Sequence, residues 1–430
     1  MTEERLARRI GVFDATMVVM GGIVGSGIFV TPATVASLTG TRAGMLAAWI
    51  VGGGAALLGA FIYADLSRRR PFAGGQYVYL REAYHPALGF LYGWALLLVI
   101  QTGGMAACAV TFARYFKPLS GVPFSEGAIA ALAMAILVGV NCLGVGAGAR
   151  TQSALMVLKI AAIGAVIACG FGGAAAPRAG LVNPRSSFAA ALIPVLFSYG
   201  GFQTACFVAS ELKDARRDLP RALVAGVSFV VLLYVGTAFA CDRILGEALQ
   251  LSAAPALEVA TRVLGPRGAG LIAAGVAVSS LGFLSQSILT APRVYFAMAE
   301  DGVFLRSVAR VHPRTRAPVV AIVLQGGLAI LLALTGTFEV LVNYVVAIDF
   351  IFFALTAGCL FVLRRRGEPV EMPGHPVTTL LFIGVCATVS VSSFVQDPLH
   401  SLIGLALTVA GFPVYLLWRR TRRTSSAVGR

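Results

Sequence analysis

Two short runs of the sequence carry its clearest chemical meaning, and neither contains a catalytic group. The first, Met20-Gly21-Gly22-Ile23-Val24-Gly25-Ser26-Gly27-Ile28-Phe29, sets four glycines in an apolar stretch and is followed by Pro32. The second, Ile193-Pro194-Val195-Leu196-Phe197-Ser198-Tyr199-Gly200-Gly201-Phe202-Gln203, puts a proline, a serine and a glycine pair at the middle of another. Both read as interrupted helices, the second broken around residue 194. Unpaired backbone groups are costly in hydrocarbon, so an unwound segment persists there only where protein surrounds it or a solute binds it. A helix that restarts offers free N–H groups and a positive dipole end, suited to a carboxylate; one that stops offers carbonyls, suited to an ammonium. One break in each half of the chain therefore suits a zwitterion. The donors would be the N–H groups of Ser26 and Gly27, beside the Ser26 hydroxyl. The acceptors would be the carbonyls of Ile23 and of Phe197, Ser198 or Gly200, reached because glycine lets the backbone approach a ligand. Gly25 and Gln203 complete the candidate substrate-binding set.

Charges inside apolar stretches form a second group. Lys159 is one of three lysines among 34 basic residues. It lies about 12 Å along its helix if that helix starts near Thr151, too deep for easy snorkelling, so a functional role is the default for it. Asp349 is the other intramembrane charge, with Glu339 near the end of the same stretch; a proton or gate role and a structural hydrogen bond are equally open for Asp349. Glu211 reads as a structural or gate partner for arginines. The four histidines, His85, His312, His375 and His400, show no metal spacing, and no nucleophile and base pair is visible, so enzyme chemistry, a metal and a cofactor are not expected. The seven cysteines lie in or at the ends of apolar stretches at irregular spacing and read as small core residues.

The elements that position these residues follow from composition. The 430 residues are 58% hydrophobic and only 12% charged, with mean hydropathy +0.84, against about a quarter charged in soluble domains. At roughly 20 apolar residues per crossing, the chain supplies spans near 11–38, 43–66, 86–113, 126–146, 151–172, 188–211, 221–241, 267–297, 318–335, 339–363, 377–396 and 399–418. The net charge of +15 sorts by side: 25 basic residues, Arg5, the clusters at 68–70 and 364–366 and the tail 419–430 among them, fall in segments facing one way. Eight face the other: Arg42, Arg114, Lys117, Arg178, Arg185, Arg243, Arg262 and Arg267. The positive-inside rule then puts both termini in the cytoplasm, and nucleic acid is not needed to explain the charge. Residues 1–10 are basic, but the apolar run behind them is too long for a cleaved signal peptide.

At these residues the chain resembles the amino acid–polyamine–organocation superfamily, in particular its L-type amino acid transporter branch. The resemblance covers most of the chain. It is carried by 21–32, by Pro71-Phe72-Ala73-Gly74-Gly75-Gln76-Tyr77, by Leu91-Tyr92-Gly93-Trp94, by Phe197-Ser198-Tyr199-Gly200-Gly201, and by two further patterns, Asp218-Leu219-Pro220-Arg221-Ala222 and Ser287-Ile288-Leu289-Thr290-Ala291-Pro292-Arg293. It implies an all-α integral membrane protein of the LeuT-type fold, with twelve transmembrane helices and discontinuous helices 1 and 6. Its 5+5 inverted repeat would comprise 11–172 and 188–363, with helices 11 and 12 at 377–418 and cytoplasmic ends at 1–10 and 419–430. It gives Ser26 and Gly27 to the substrate carboxylate, the carbonyls of Ile23, Phe197 and Gly200 to the amino group, and to Phe197 an outer gate. It also places Lys159 where sodium-coupled relatives hold Na⁺, its ammonium touching carbonyls near Gly22 and Ser279 or Ser280. Phe202 replaces a usual tryptophan, Ser285 a common asparagine, and 371–376 departs from the usual stretch before helix 11.

The expected function is sodium-independent transport of neutral L-amino acids across the plasma membrane by alternating access, as exchange. The stretch 114–125 lacks the cysteine that eukaryotic members of the branch use to bind a heavy subunit, so a stand-alone carrier in the lipid bilayer is expected. Three alternatives stay open: a proton-coupled symporter, a cationic amino acid or polyamine carrier, which needs acidic groups in the pocket, and a channel or ligand-sensing receptor. Pocket size is expected to depend on Phe197, Phe202 and the residues from Gln101 to Met105.

Overall fold

The computed structural model describes residues 6–176, 187–335 and 338–418, the side chains of 338–346 excepted. Arg5, Arg178, Arg185, the basic tail 419–430 and the side chain of Glu339 lie outside the described residues. The first part of the chain forms α1 (Val12–Ile23), α2 (Thr31–Thr39), α3 (Arg42–Arg69), α4 (Gln76–Ala83), α5 (Pro86–Ala95), α6 (Gln101–Ser120), α7 (Glu126–Cys142) and α8 (Val145–Gly172). The second forms α9 (Phe188–Tyr199), α10 (Ala215–Leu245), α11 (Pro255–Leu264), α12 (Pro266–Thr290), α13 (Pro292–Glu300), α14 (Val319–Thr335), α15 (Phe338–Arg365), α16 (Val377–Gln396) and α17 (Pro398–Val409). Nine helices among the described residues are long and apolar enough to cross a membrane, and α1, α7 and α14 are shorter apolar helices. This is the build of a multi-pass membrane protein. Several helices start where a hydroxyl can cap them: the side chains of Thr41, Ser125 and Ser187 accept the N–H groups of Gly44, Ala128 and Ala190 at 3.1 to 3.2 Å.

Both interruptions are present, but the second is displaced. α1 stops at Ile23, residues 24–26 are not helical, and a short 3₁₀ turn, Gly27–Phe29, leads into α2. α9 runs straight through Pro194 and ends only at Tyr199, and the next element, Phe202–Glu211, is a 3₁₀ helix. One missing N–H is tolerated in a membrane helix. The helix ends instead at the glycine pair, where Gly201 adopts φ +100°, a left-handed conformation that side chains disfavour. Other features were not legible. A π-helical segment, Leu96–Ile100, joins α5 to α6. The eighth span divides at Pro292, and α4 and α11 lie in stretches read as connections. α8 begins at Val145, so Lys159 sits about 21 Å along it, near its middle.

The two breaks lie against each other. α1 packs on α8, α10 and Phe202–Glu211, while α12 packs on α6 and α8, and α3 on α9 and α10. At the crossing the backbones touch: a Cβ on Gly22 would collide with the Gly201 carbonyl oxygen, and one on Gly201 with that of Gly22. Behind the contact Trp49 packs edge-on against both Tyr199 and Tyr234, and the three ring centroids lie 5.1 to 5.8 Å apart. The Tyr199 hydroxyl donates to the Trp49 carbonyl at 3.1 Å, tying α9 to α3.

One face of the bundle, that of the N-terminal segment, is closed by polar contacts. Arg293 donates through Nε to Glu211 Oε1 at 2.7 Å, and both side chains are buried, so Glu211 does partner an arginine. The N–H groups of Arg9 and Ile10 donate to the Glu211 carbonyl at 2.9 and 3.0 Å. Nearby, the Gly74 N–H donates to the Phe207 carbonyl at 3.0 Å, and the Gly75 α-carbon leaves no room for a side chain against Cys206. Burial and the adjacent Asp301 carboxylate push the Tyr77 phenol up, so it stays protonated and donates to Asp301 at 2.5 Å. Arg81 also donates to Asp301.

Gly22→Ala and Gly201→Ala should each lower the melting temperature in detergent by the equivalent of about 1–3 kcal/mol, whereas Gly25→Ala, with nothing within 4 Å of its added methyl group, should not; equal melting of all three variants contradicts the crossing. Removing one partner of the buried pair, as in Arg293→Met or Glu211→Leu, should cost about 3–5 kcal/mol in the same measurement, the penalty of a stranded charge. Wild-type melting in either variant would show that the pair is not buried as described.

Candidate functional site

The interruption in α1 frees carbonyls that three side chains from three helices take up. The Tyr234 hydroxyl on α10 donates to the Ile23 carbonyl at 3.1 Å. Lys159 Nζ on α8 donates to the Val24 carbonyl at 2.5 Å. The Ser279 hydroxyl on α12 donates to the Gly25 carbonyl at 2.9 Å. Lys159 therefore meets α1 at Val24 rather than near Gly22. Toward α12 its stem fills the space beside Gly282, where an added Cβ would collide with Cε. Among the described residues the ammonium makes no hydrogen bond to a carbonyl near Ser279 or Ser280; the Ser279 hydroxyl is turned to Gly25, and that of Ser280 donates to the carbonyl of Val276 within its own helix. The small residue at 282 is what lets a lysine stem pass between α8 and α12.

The donor side of the break is left open. The N–H groups of Gly25, Ser26 and Gly27 donate to no carbonyl among the described residues. All three residues line a cavity of about 260 Å³, smaller than the roughly 300–1,000 Å³ of a drug-sized pocket. Across it, the carbonyls of Ser198 and Gly200 accept no backbone N–H among the described residues, while that of Phe197 accepts the Gly200 N–H at 3.1 Å. Chain ends with opposite polarity thus face one small space. Such a space can hold an anionic group on one wall and a cationic group on the other.

Every residue of the candidate set, Ile23, Gly25, Ser26, Gly27, Phe197, Ser198, Gly200 and Gln203, lines this cavity. Three details differ from the sequence reading. The Ile23 carbonyl already accepts Tyr234, and the Phe197 carbonyl already closes the end of α9. Phe202 does not line the cavity: it packs between Tyr63 and Phe353, with ring centroids at 5.5 and 5.8 Å, and covers Gly59. Met105 is also absent from the lining and is buried against Gln325, whereas Gln101 and Gly104 on α6 do line it. The Phe197 side chain is 45% exposed at the cavity wall.

Some lining residues were not assigned to the site beforehand. Tyr234 on α10, Thr204 after the second break, and Phe283 and Gln286 on α12 belong to it. Gln286 Nε2 donates to the Thr204 hydroxyl at 2.5 Å, and that hydroxyl donates to the Gly201 carbonyl at 2.6 Å, so α12 steadies the second break through one side chain. Nothing in the local sequence marks Tyr234, since a tyrosine in an apolar helix reads as core. Asp349 on α15 lines the cavity too, which places an acidic group where spans 1, 3, 6 and 8 offer none. Among the described residues no group of three or more His, Cys, Asp or Glu side chains could hold a metal ion.

The chain is similar in sequence to known proteins over nearly its whole length. The family model described as amino acid permease matches residues 10–415. The chain is 30% identical over 425 residues to the serine/threonine exchanger SteT of Bacillus subtilis, covering 95% of this chain and 96% of that protein. It is 30% identical to the human large neutral amino acids transporter small subunit 2, covering 96% of this chain and 80% of that one. It is 28% identical to the mouse Asc-type amino acid transporter 1, covering 96% and 82%. The chain belongs to the amino acid permease family, within the L-type branch of the amino acid–polyamine–organocation superfamily.

Proposed function

We propose that the protein carries neutral L-amino acids across the plasma membrane by sodium-independent, alternating-access exchange. One observation carries this reading: unpartnered N–H groups at Gly25, Ser26 and Gly27 and unpartnered carbonyls at Ser198 and Gly200 line the same small cavity. The α-carboxylate would sit on the first set and the α-ammonium on the second, so the parts common to all amino acids are held by backbone. The side chain would lie toward α6, α12 and α15. Of the relatives named above, one is by name a large neutral amino acids transporter and another a serine/threonine exchanger, which supports the neutral class and exchange.

Sodium independence rests on Lys159. Its ammonium occupies the space beside the broken α1, donating to Val24, and leaves that carbonyl no need of a metal ion. A fixed cation at mid-helix would do the bridging between α1, α8 and α12 that a bound ion does elsewhere. Alternating access then needs one face shut while the other opens. The contacts of Glu211 with Arg293 and with the N-terminal segment would close the side assigned to the cytoplasm, and Phe197, half-exposed at the cavity, would cover the other. Twelve spans in a 5+5 inverted repeat, with both termini in the cytoplasm, would give the rocking halves their symmetry. We also propose that the carrier works without a heavy subunit, because 114–125 offers no cysteine.

In proteoliposomes loaded with unlabelled serine, uptake of labelled neutral amino acids should exceed that of empty vesicles and be unchanged when choline replaces Na⁺. Uptake that requires a Na⁺ gradient, or none stimulated from within, would defeat this reading. Lys159→Ala should reduce exchange roughly tenfold or more, the scale of one lost charged hydrogen bond; undiminished exchange would remove the bridging role from that residue.

A further inference from the structure

The cavity has a sign. Among the described residues that line it, each buried side-chain atom without a hydrogen-bond partner is an oxygen: Oδ1 of Asp349, Oε1 of Gln203 and Oε1 of Gln286. They come from three elements, α15, the 3₁₀ helix after the second break, and α12. An amide can turn to present its NH₂ group instead, but a carboxyl group keeps an acceptor oxygen whether ionised or protonated. Asp349, only part-buried where it lines the cavity, therefore always brings an acceptor to this wall. Neither an ion pair nor a hydrogen bond holds its Oδ1 among the described residues, and Lys159 is committed to Val24.

A buried acceptor without a donor is costly, and the cost is paid in full when an apolar group fills the space in front of it. The backbone groups of the two breaks account for the α-carboxylate and α-ammonium of a substrate. What remains for Asp349 is the side chain. We propose that Asp349 makes the cavity select amino acids whose side chain donates a hydrogen bond over apolar side chains of the same shape. This rests on the amino acid carrier reading given above. A site built to hydrogen-bond a substrate hydroxyl rejects the analogue that lacks it far more strongly than an apolar pocket rejects a change in size.

Threonine and valine are nearly isosteric, as are serine and alanine apart from the hydroxyl. In serine-loaded proteoliposomes the wild type should take up threonine in preference to valine, and serine in preference to alanine, by roughly 10- to 100-fold in uptake efficiency. Asp349→Leu should bring the threonine to valine ratio near one, through loss of threonine and gain of valine. Asp349→Asn keeps an oxygen acceptor of the same reach and should hold a ratio above that of the leucine variant. It also decides the matter if the leucine variant fails to fold, since it must then keep a threonine preference below the wild-type ratio. A wild-type ratio near one, a leucine variant with the wild-type ratio, or equal loss in the two variants overturns the assignment to Asp349. Absence of uptake for all four amino acids would instead defeat the carrier reading itself, and the two failures are thereby distinct.

Discussion

A helix opened inside a membrane has to give its freed carbonyls a donor, and the arrangement of this protein follows from how that is done at Ile23, Val24 and Gly25. Three side chains from α8, α10 and α12 supply the donors. Each is buried and on a different helix, so the break in α1 is also the point where the first and second parts of the chain are tied together. Because the carbonyls are taken and the amides are not, the segment has a net polarity. It is a donor surface. The second break has the opposite balance, with carbonyls at Ser198 and Gly200 left over.

The two surfaces face one cavity because glycine allows their helices to touch. Gly22 and Gly201 approach so closely that neither tolerates a methyl group. That contact sets the spacing of the site, and the Trp49, Tyr199 and Tyr234 trio holds it from behind. Tyr234 serves both purposes, since its ring packs in the trio while its hydroxyl caps Ile23. The buried pair of Glu211 and Arg293 sits just past the second break, where the 3₁₀ segment ends. Movement of that segment would be felt both at the pair and at Gly201. This is a physical route by which closure of one face and occupancy of the cavity could be linked, through the ten residues Phe202–Glu211, which kink at Val208.

Recognition thus divides into two layers. In the proposed reading, backbone groups, whose chemistry is the same in any sequence, would take the charges common to all amino acids. Side chains of α6, α12 and α15 form the variable wall, where this chain places Gln101, Gln286 and Asp349. Such a division explains how one scaffold can serve relatives that differ in preferred substrate while sharing about 30% of their residues with this chain.

Much of this was legible in the residues themselves. Composition and hydropathy required a membrane protein of many helices, the run 20–29 pointed to interrupted backbone, and all eight candidate substrate-binding residues line one cavity. Local chemistry suffices there, because an apolar run has the same consequence wherever it is placed. Other features needed the assembled structure. Pro194 looked like the breaking point, but helix packing around α9 carried it and left the break to Gly201, whose φ of +100° no neighbouring side chain announces. Phe202 looked like a pocket residue until Tyr63 and Phe353 claimed it. Lys159 was marked by its depth, yet its partner, Val24, lies 135 positions away. Tyr234 and Asp349 join the site only because α10 and α15 pass beside it. A sequence determines what each segment can offer; which offers are accepted, and which atoms stay free to bind a solute, is decided by contacts between segments far apart in the chain.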